Sequence, residues 1–241
     1  MYKKCLFLIL ITLPMVMFSQ LEMTSSTSKK GWANDKNPTQ VYLDFNRTQS
    51  YRTLLSNQDF LNPPLGERAN ETATPLWTYG LGIRAGILPF LRLEAGLTFL
   101  QNGEAYDFQS TVNDSSYHYV SKFRYIGMPV SLHFTYGNQF RFFIGPGINP
   151  LLFNSFNQKF EYTTELGGAY KGKLKEKSNA YASYILQVKA EAGVEYVGAK
   201  GIGMVVKCTY RRQLTNTYGK YSGFIHKSYG FGFSLGLVKN I

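Results

Sequence analysis

From Trp77 to Leu237 the apolar residues recur at every second position in one segment after another, a period that puts them on a single face of a β-strand. The clearest segment is the last, where Tyr229, Phe231, Phe233, Leu235 and Leu237 alternate with Ser228, Gly230, Gly232, Ser234 and Gly236. In 201–211, Ile202, Met204, Val206, Cys208 and Tyr210 alternate with Gly203, Val205, Lys207, Thr209 and Arg211, and Val205 is the single apolar residue on the polar side. The same reading gives strands at 78–88, 91–101, 125–136, 140–149 and 184–197, with a weaker one at 39–47 in which Val41, Leu43 and Phe45 oppose Tyr42, Asp44 and Asn46. Eight strands of about 9–11 residues is the repertoire of a small membrane-spanning barrel.

Alternation alone does not say which face meets the apolar phase, since a lipocalin-like soluble barrel turns the same pattern inward. The polar face decides. A water-exposed wall needs Lys, Glu and Asp along its length, whereas this one is largely Gly, Ser and Thr, and only 17% of the chain is charged. Small residues suit the narrow interior of an eight-stranded barrel, where side chains fill the space. The reading is therefore an all-β fold, an eight-stranded antiparallel up-and-down transmembrane β-barrel with its apolar rows in lipid. No other segment is apolar and long enough to cross as a helix.

Residues 1–19 read as a signal peptide: Lys3 and Lys4 precede the apolar run Cys5–Phe18, and Ser19 offers a small residue for cleavage before Gln20. Pro14 and the short run argue against a permanent helical anchor. Loss of the two lysines lowers the formal charge from +11 to +9. The organisation expected is signal peptide 1–19, periplasmic N-terminal segment 20–37 and outer-membrane barrel 38–241. Cys5 leaves with the signal, so Cys208 has no intramolecular disulfide partner.

Connections alternate in length. Pro89–Phe90, Gly198–Lys200 and Gly137–Gln139 are tight, while about 48–76, 103–122, 154–182 and 212–226 are long. Short periplasmic turns and long extracellular loops have this rhythm, with both termini in the periplasm. Phe90, Tyr136, Phe140 and Tyr196 on the short-turn side, and Phe99, Tyr184, Tyr210 and Tyr229 toward the loops, form two candidate aromatic girdles.

Tyr125-Ile126-Gly127-Met128-Pro129-Val130 resembles the aromatic-aliphatic-x-aliphatic-Pro strand of the exported outer-membrane β-barrel family that includes PorT-like proteins and, more distantly, the small OmpX and OmpA barrels. Gly145-Pro146-Gly147 in the next strand adds to the resemblance, which covers about 77–238. It implies a barrel in the cell outer membrane, unplugged or filled by its own side chains. PorT-like members take part in protein secretion.

The inward-facing charges are Arg84, Arg92, Glu94, Arg141, Lys189, Glu191, Glu195, Lys207 and Arg211. Such charges in a cramped lumen must pair, because an isolated buried charge costs several kcal/mol. They read as a salt-bridged plug, with a narrow anion-preferring pore as the alternative. His133 and Ser131 share a face, which raises a lipid A-modifying outer-membrane enzyme as a second alternative, but the sequence offers no acidic orienter and no nucleophile elbow. His118 and His226 fall in separate expected loops, and nothing has metal-ligand spacing. Catalytic, cofactor and metal sites are all expected to be absent. Lys171, Lys173, Lys175 and Lys177 in the third long loop are candidates for contact with lipopolysaccharide phosphates. The partners expected are outer-membrane lipid and lipopolysaccharide, with proteins reached through the loops, and no nucleic acid. The function read from the chain is a non-enzymatic outer-membrane barrel serving a structural, adhesion or secretion-associated role.

Overall fold

A computed structural model of the protein describes residues 38–56, 68–177, 180–219 and 223–241. The expected signal peptide and N-terminal segment lie outside the described residues. Eleven strands follow in order: β1 (Gln40–Ser56), β2 (Glu71–Thr72), β3 (Thr74–Leu88), β4 (Leu91–Gln109), β5 (Ser116–Gly127), β6 (Val130–Gly137), β7 (Phe140–Thr163), β8 (Ala169–Glu176), β9 (Tyr184–Val197), β10 (Ile202–Gln213) and β11 (Phe224–Asn240). Each stave of the barrel pairs antiparallel with its sequence neighbour, and β1 closes the ring on β11 from Gln40↔Asn240 to Ser56↔Phe224. Because β5 and β6 are two parts of one stave, both lying between β4 and β7, the ring has eight staves. Closure leaves no free edge in the spanning part, as hydrocarbon requires of backbone polar groups.

The break between β5 and β6 falls at Met128-Pro129, where proline has no N–H to give the ladder. The sheet still holds the segment, since Gly96 N donates to the Pro129 carbonyl at 3.2 Å and Met128 N to the Pro150 carbonyl at 3.1 Å. Tight connections join β3 to β4, β6 to β7 and β9 to β10. Gly137 (φ 110) and Gly201 (φ 73) take left-handed backbone at two of them, a conformation L-residues with a Cβ adopt at a cost.

The outer wall is apolar over a continuous belt. Leu81, Leu97, Phe134, Phe142, Ile144, Met204, Val206, Phe231, Phe233 and Leu235 are all exposed there, Phe233 by 71%. Their polar neighbours point in and are buried, among them Asp44, Asn46, Glu94, Glu191, Lys207 and Ser234. Phe90, Tyr136, Phe140 and Tyr196 are exposed at the short-turn rim, and toward the loops Tyr184 is exposed while Phe99, Tyr210 and Tyr229 are half-buried; Phe140 packs on Tyr196 with ring centroids 4.7 Å apart. Val205, out of pattern in the sequence, faces inward with 0% exposure and packs with Tyr42, Phe143, Val197 and Val238 at the periplasmic end.

The long connections are less loop-like than their composition suggests. Strand β1 runs on to Ser56, β4 to Gln109 and β7 to Thr163, and β5 begins at Ser116, so the expected loop 103–122 is a hairpin closing over 110–115. Residues 169–176, expected in a loop, form β8, which pairs with the far end of β7 from Phe156↔Glu176 to Thr163↔Ala169. The ends of β4, β5 and β7, together with β8, therefore continue beyond the apolar belt as one sheet.

Candidate functional site

The interior is layered along the barrel axis. Above the apolar floor lies a first ionic node around Glu195, whose carboxylate receives Arg92 Nη1 at 3.0 Å, Arg141 Nη1 at 3.0 Å, Arg84 Nη1 at 3.4 Å and the Gln40 amide at 2.9 Å. Arg84 also donates from Nε to Glu94 at 2.8 Å. Two guanidiniums lie over aromatic rings, Arg84 at 4.6 Å from Tyr42 and Arg92 at 5.6 Å from Phe143.

A second node gathers on Glu191. Lys189 Nζ lies 2.7 Å and Lys207 Nζ 2.9 Å from its oxygens, and Lys207 also reaches Asp44 at 2.5 Å. Lys189 is 3.7 Å from Glu94, which ties the two nodes together. Inward parity along β3, β4, β7, β9 and β10 thus brings eight of the nine sequence-predicted lumen charges into one ion-pair system. Arg211, the ninth, is buried too, and among the described residues it bonds only to neutral groups, donating to Thr78 Oγ1 at 3.1 Å and to the Gln101 carbonyl at 2.6 Å. Asp44 and Gln40 join the network as well, and both have the inward parity of β1. The outward row of β1 is apolar only as far as Phe45 and continues with Arg47 and Gln49, so its alternation is short in the sequence although the strand runs to Ser56.

His133 and Ser131 both contact the same Glu191 oxygen, His133 Nε2 at 3.3 Å and Ser131 Oγ at 3.2 Å. The acidic neighbour invisible in the sequence is therefore present, contributed by β9, which lies one stave away on the other side of β7. The group does not make a relay from Ser to His to Glu, because both side chains converge on the carboxylate. All three are 0–3% exposed.

Above the ionic layers the lumen is closed by an apolar lid of Leu100, Phe123, Tyr125, Leu151, Phe156, Ile185 and Tyr181. The side chain of Leu151 also fills the space into which any Cβ at Gly127 would project, 2.4 Å from Leu151 Cδ2. Tyr181, which precedes β9, joins the lid and is bridged to Tyr218. Burial raises the phenol pKa values of Tyr181 and Tyr218, with Glu176 and Glu104 adding to the rise at Tyr181.

His226 is in β11 and faces inward at 1% exposure; the expectation of a loop position is corrected by β11 beginning at Phe224. Its Nε2 is 2.6 Å from Glu104 and its Nδ1 2.7 Å from Thr217 Oγ1, and Gln213 Nε2 donates to the same hydroxyl at 2.9 Å. Glu104 also pairs with Arg52 at 3.4 Å. His118 likewise falls in a strand, β5, where it lies 3.7 Å from Asp107. Strand continues beyond the apolar belt, where alternation no longer marks it, so both histidines lie in strands that the sequence pattern does not reach. The lid had a readable signal: Leu100, Phe123, Tyr125, Leu151 and Ile185 keep inward parity when the strands are counted past their apolar rows.

Lys171, Lys173 and Lys175 share one face of β8 and are exposed; Lys177 lies just past the strand end. Lys171 pairs with Glu161 across the hairpin at 2.6 Å. No group of three or more His, Cys, Asp or Glu side chains among the described residues has the geometry to hold a metal ion.

An apolar belt around a polar, ion-paired axis defines a transmembrane β-barrel of the outer-membrane type. No protein-family model and no curated protein matches the chain. Among solved structures, it is similar to Neisserial surface protein A (9% identity, 84% of this chain and 97% of that one, TM-score 0.43) and to Ail, the attachment invasion locus protein of Yersinia pestis (10%, 84% and 99%, 0.36). It is also similar to the outer membrane protease OmpT of Escherichia coli (12%, 89% and 100%, 0.39). At these identities the likeness is one of barrel architecture alone.

Proposed function

We propose that the protein is a non-enzymatic component of the cell outer membrane, exported by a cleaved signal peptide of residues 1–19, whose standing extracellular sheet serves as a contact surface. The observation that carries this reading is the continuation of β4, β5 and β7 beyond the apolar belt, with β8 as a lysine-bearing edge. A barrel that only occupied the membrane has no use for ordered strand beyond it. Residues that resemble PorT-like proteins make a secretion-associated role one form of this reading, and adhesion another.

Charge favours an anionic surface as the contact. Lys171, Lys173 and Lys175 repeat at every second residue along β8, a spacing of about 7 Å set by the strand rise, which suits a row of phosphates on lipopolysaccharide. Enzymatic readings are disfavoured by the burial of Ser131, His133 and Glu191. A conducting pore is disfavoured by the apolar floor and lid on either side of the ionic layers.

The test uses the full protein in phosphatidylcholine nanodiscs. Binding of purified lipopolysaccharide is expected to weaken about tenfold or more when Lys171, Lys173 and Lys175 are all replaced by Gln, and to weaken with salt in the parent, since exposed charges are screened within about 10 Å at 0.1 M. Equal binding by parent and variant would remove the lysine edge from the proposal.

A further inference from the structure

We propose that the barrel interior holds a small monovalent inorganic anion, of the halide class, beside Arg211. The inference depends on the barrel fold and not on the contact-surface reading. Arg211 is 4% exposed, and no carboxylate among the described residues pairs with it. Its hydrogen bonds go to one hydroxyl and one carbonyl, which leave its full positive charge uncompensated. The other five mid-lumen cations, Arg84, Arg92, Arg141, Lys189 and Lys207, all contact Asp44, Glu94, Glu191 or Glu195. Six cations against four carboxylates leave the layer two negative charges short; one of the two is shared among the five paired cations, and the other falls undivided on Arg211.

A space suited to an anion adjoins it. A cavity of about 60 Å3 lies between the ionic nodes and the apolar lid, lined by Arg211, Lys189, Lys207, Thr78, Thr209 and Gln187 among others. A single water needs about 10–15 Å3 of such space, so a halide and a few waters fit. Gln187 Nε2 is buried on the same cavity wall and has no hydrogen-bond partner among the described residues. A second donor therefore waits on the same space as the unpaired guanidinium. Asp44, Glu94 and Glu191 also border the cavity, each paired with Lys189, Lys207 or Arg84, and Asp44 Oδ1 and Asn149 Oδ1 on the same wall accept no hydrogen bond among the described residues, so the waters that accompany the anion donate to them. An anion at this point meets a cation without a counter-ion and an amide without an acceptor, and it removes the cost of leaving both unpartnered inside the barrel.

A ligand that binds only the folded state raises the unfolding midpoint, which gives the experiment. Full-length protein in detergent micelles is unfolded thermally in sodium chloride, sodium bromide and sodium gluconate at equal ionic strength. The midpoint is expected to be higher by a few degrees in the two halides, and the difference is expected to vanish in Arg211→Gln. Equal midpoints in all three salts, or a halide effect undiminished in Arg211→Gln, would overturn the proposal. Should that variant not fold, crystals of the parent grown in bromide decide: an anomalous peak beside the Arg211 guanidinium supports the site. Bromide found only at exterior lysines is an adventitious ion only and refutes it.

Discussion

Replacing Glu195 by Gln is expected to destabilise the barrel by about 3–5 kcal/mol, the cost of breaking a buried ion pair by removing one partner. The effect is large because one carboxylate serves three guanidiniums. Arg92 reaches no other carboxylate within ion-pair distance among the described residues, and Arg141 has only the Asn138 carbonyl besides. Gln keeps the shape and the hydrogen bond with Gln40 can be remade, so the loss isolates charge from volume. Urea midpoints in bilayers, or the temperature at which the compact gel form disappears, measure it. Adding Arg92→Gln to Glu195→Gln is expected to recover part of the loss, since one orphaned cation is then gone. A loss below about 1 kcal/mol would mean that water, not the carboxylate, compensates these cations.

The second large effect lies on the opposite face of the wall. Phe233 is 71% exposed and sits among Cys208 and Arg47 as cross-strand neighbours on the outer surface. Phe233 is the third of the five outward residues from Tyr229 to Leu237, and Phe233→Arg is expected to cost about 2–4 kcal/mol in a bilayer, the range for a cation toward the middle of a barrel's lipid face. Were this surface in water, the same change at an exposed site would stay within about 0.5 kcal/mol. Phe233→Leu serves as the control and is expected to fold like the parent. The comparison reads the solvent of the outer wall directly from an equilibrium constant.

How much of this was legible in the chain depends on where the solvent changes. Within the belt, lipid on one side and a packed lumen on the other impose strict alternation, and strands such as 184–197 and 201–211 could be read almost to their ends. Beyond the belt both faces of a strand meet water or a loop, the alternation lapses, and Lys171 to Glu176 or Tyr117 to Tyr119 read as loop although the ladder continues through them. The lumen charges were legible individually because parity alone assigns their direction. Their partners were not, since Glu191 with His133 and Glu195 with Arg92 meet from strands separated by one and by two intervening staves, whose relative height only the closed register fixes. Val205 shows the same limit from the other side: it looked like an error in the polar row until Tyr42 and Val238 gave it an apolar layer to join.

The outward direction of the apolar rows is the claim on which the membrane assignment, the lumen network and the sheet above the belt all rest. Cys208 tests it without any substitution, because it is exposed on the outer wall between Val206 and Tyr210 and is the single thiol of a protein prepared from Gln20 onward. A nitroxide attached to Cys208 in the bilayer-reconstituted protein is expected to be relaxed strongly by oxygen, which concentrates in hydrocarbon, and weakly by a water-soluble nickel chelate. Strong relaxation by the chelate with little response to oxygen would place Cys208 in water and contradict the account.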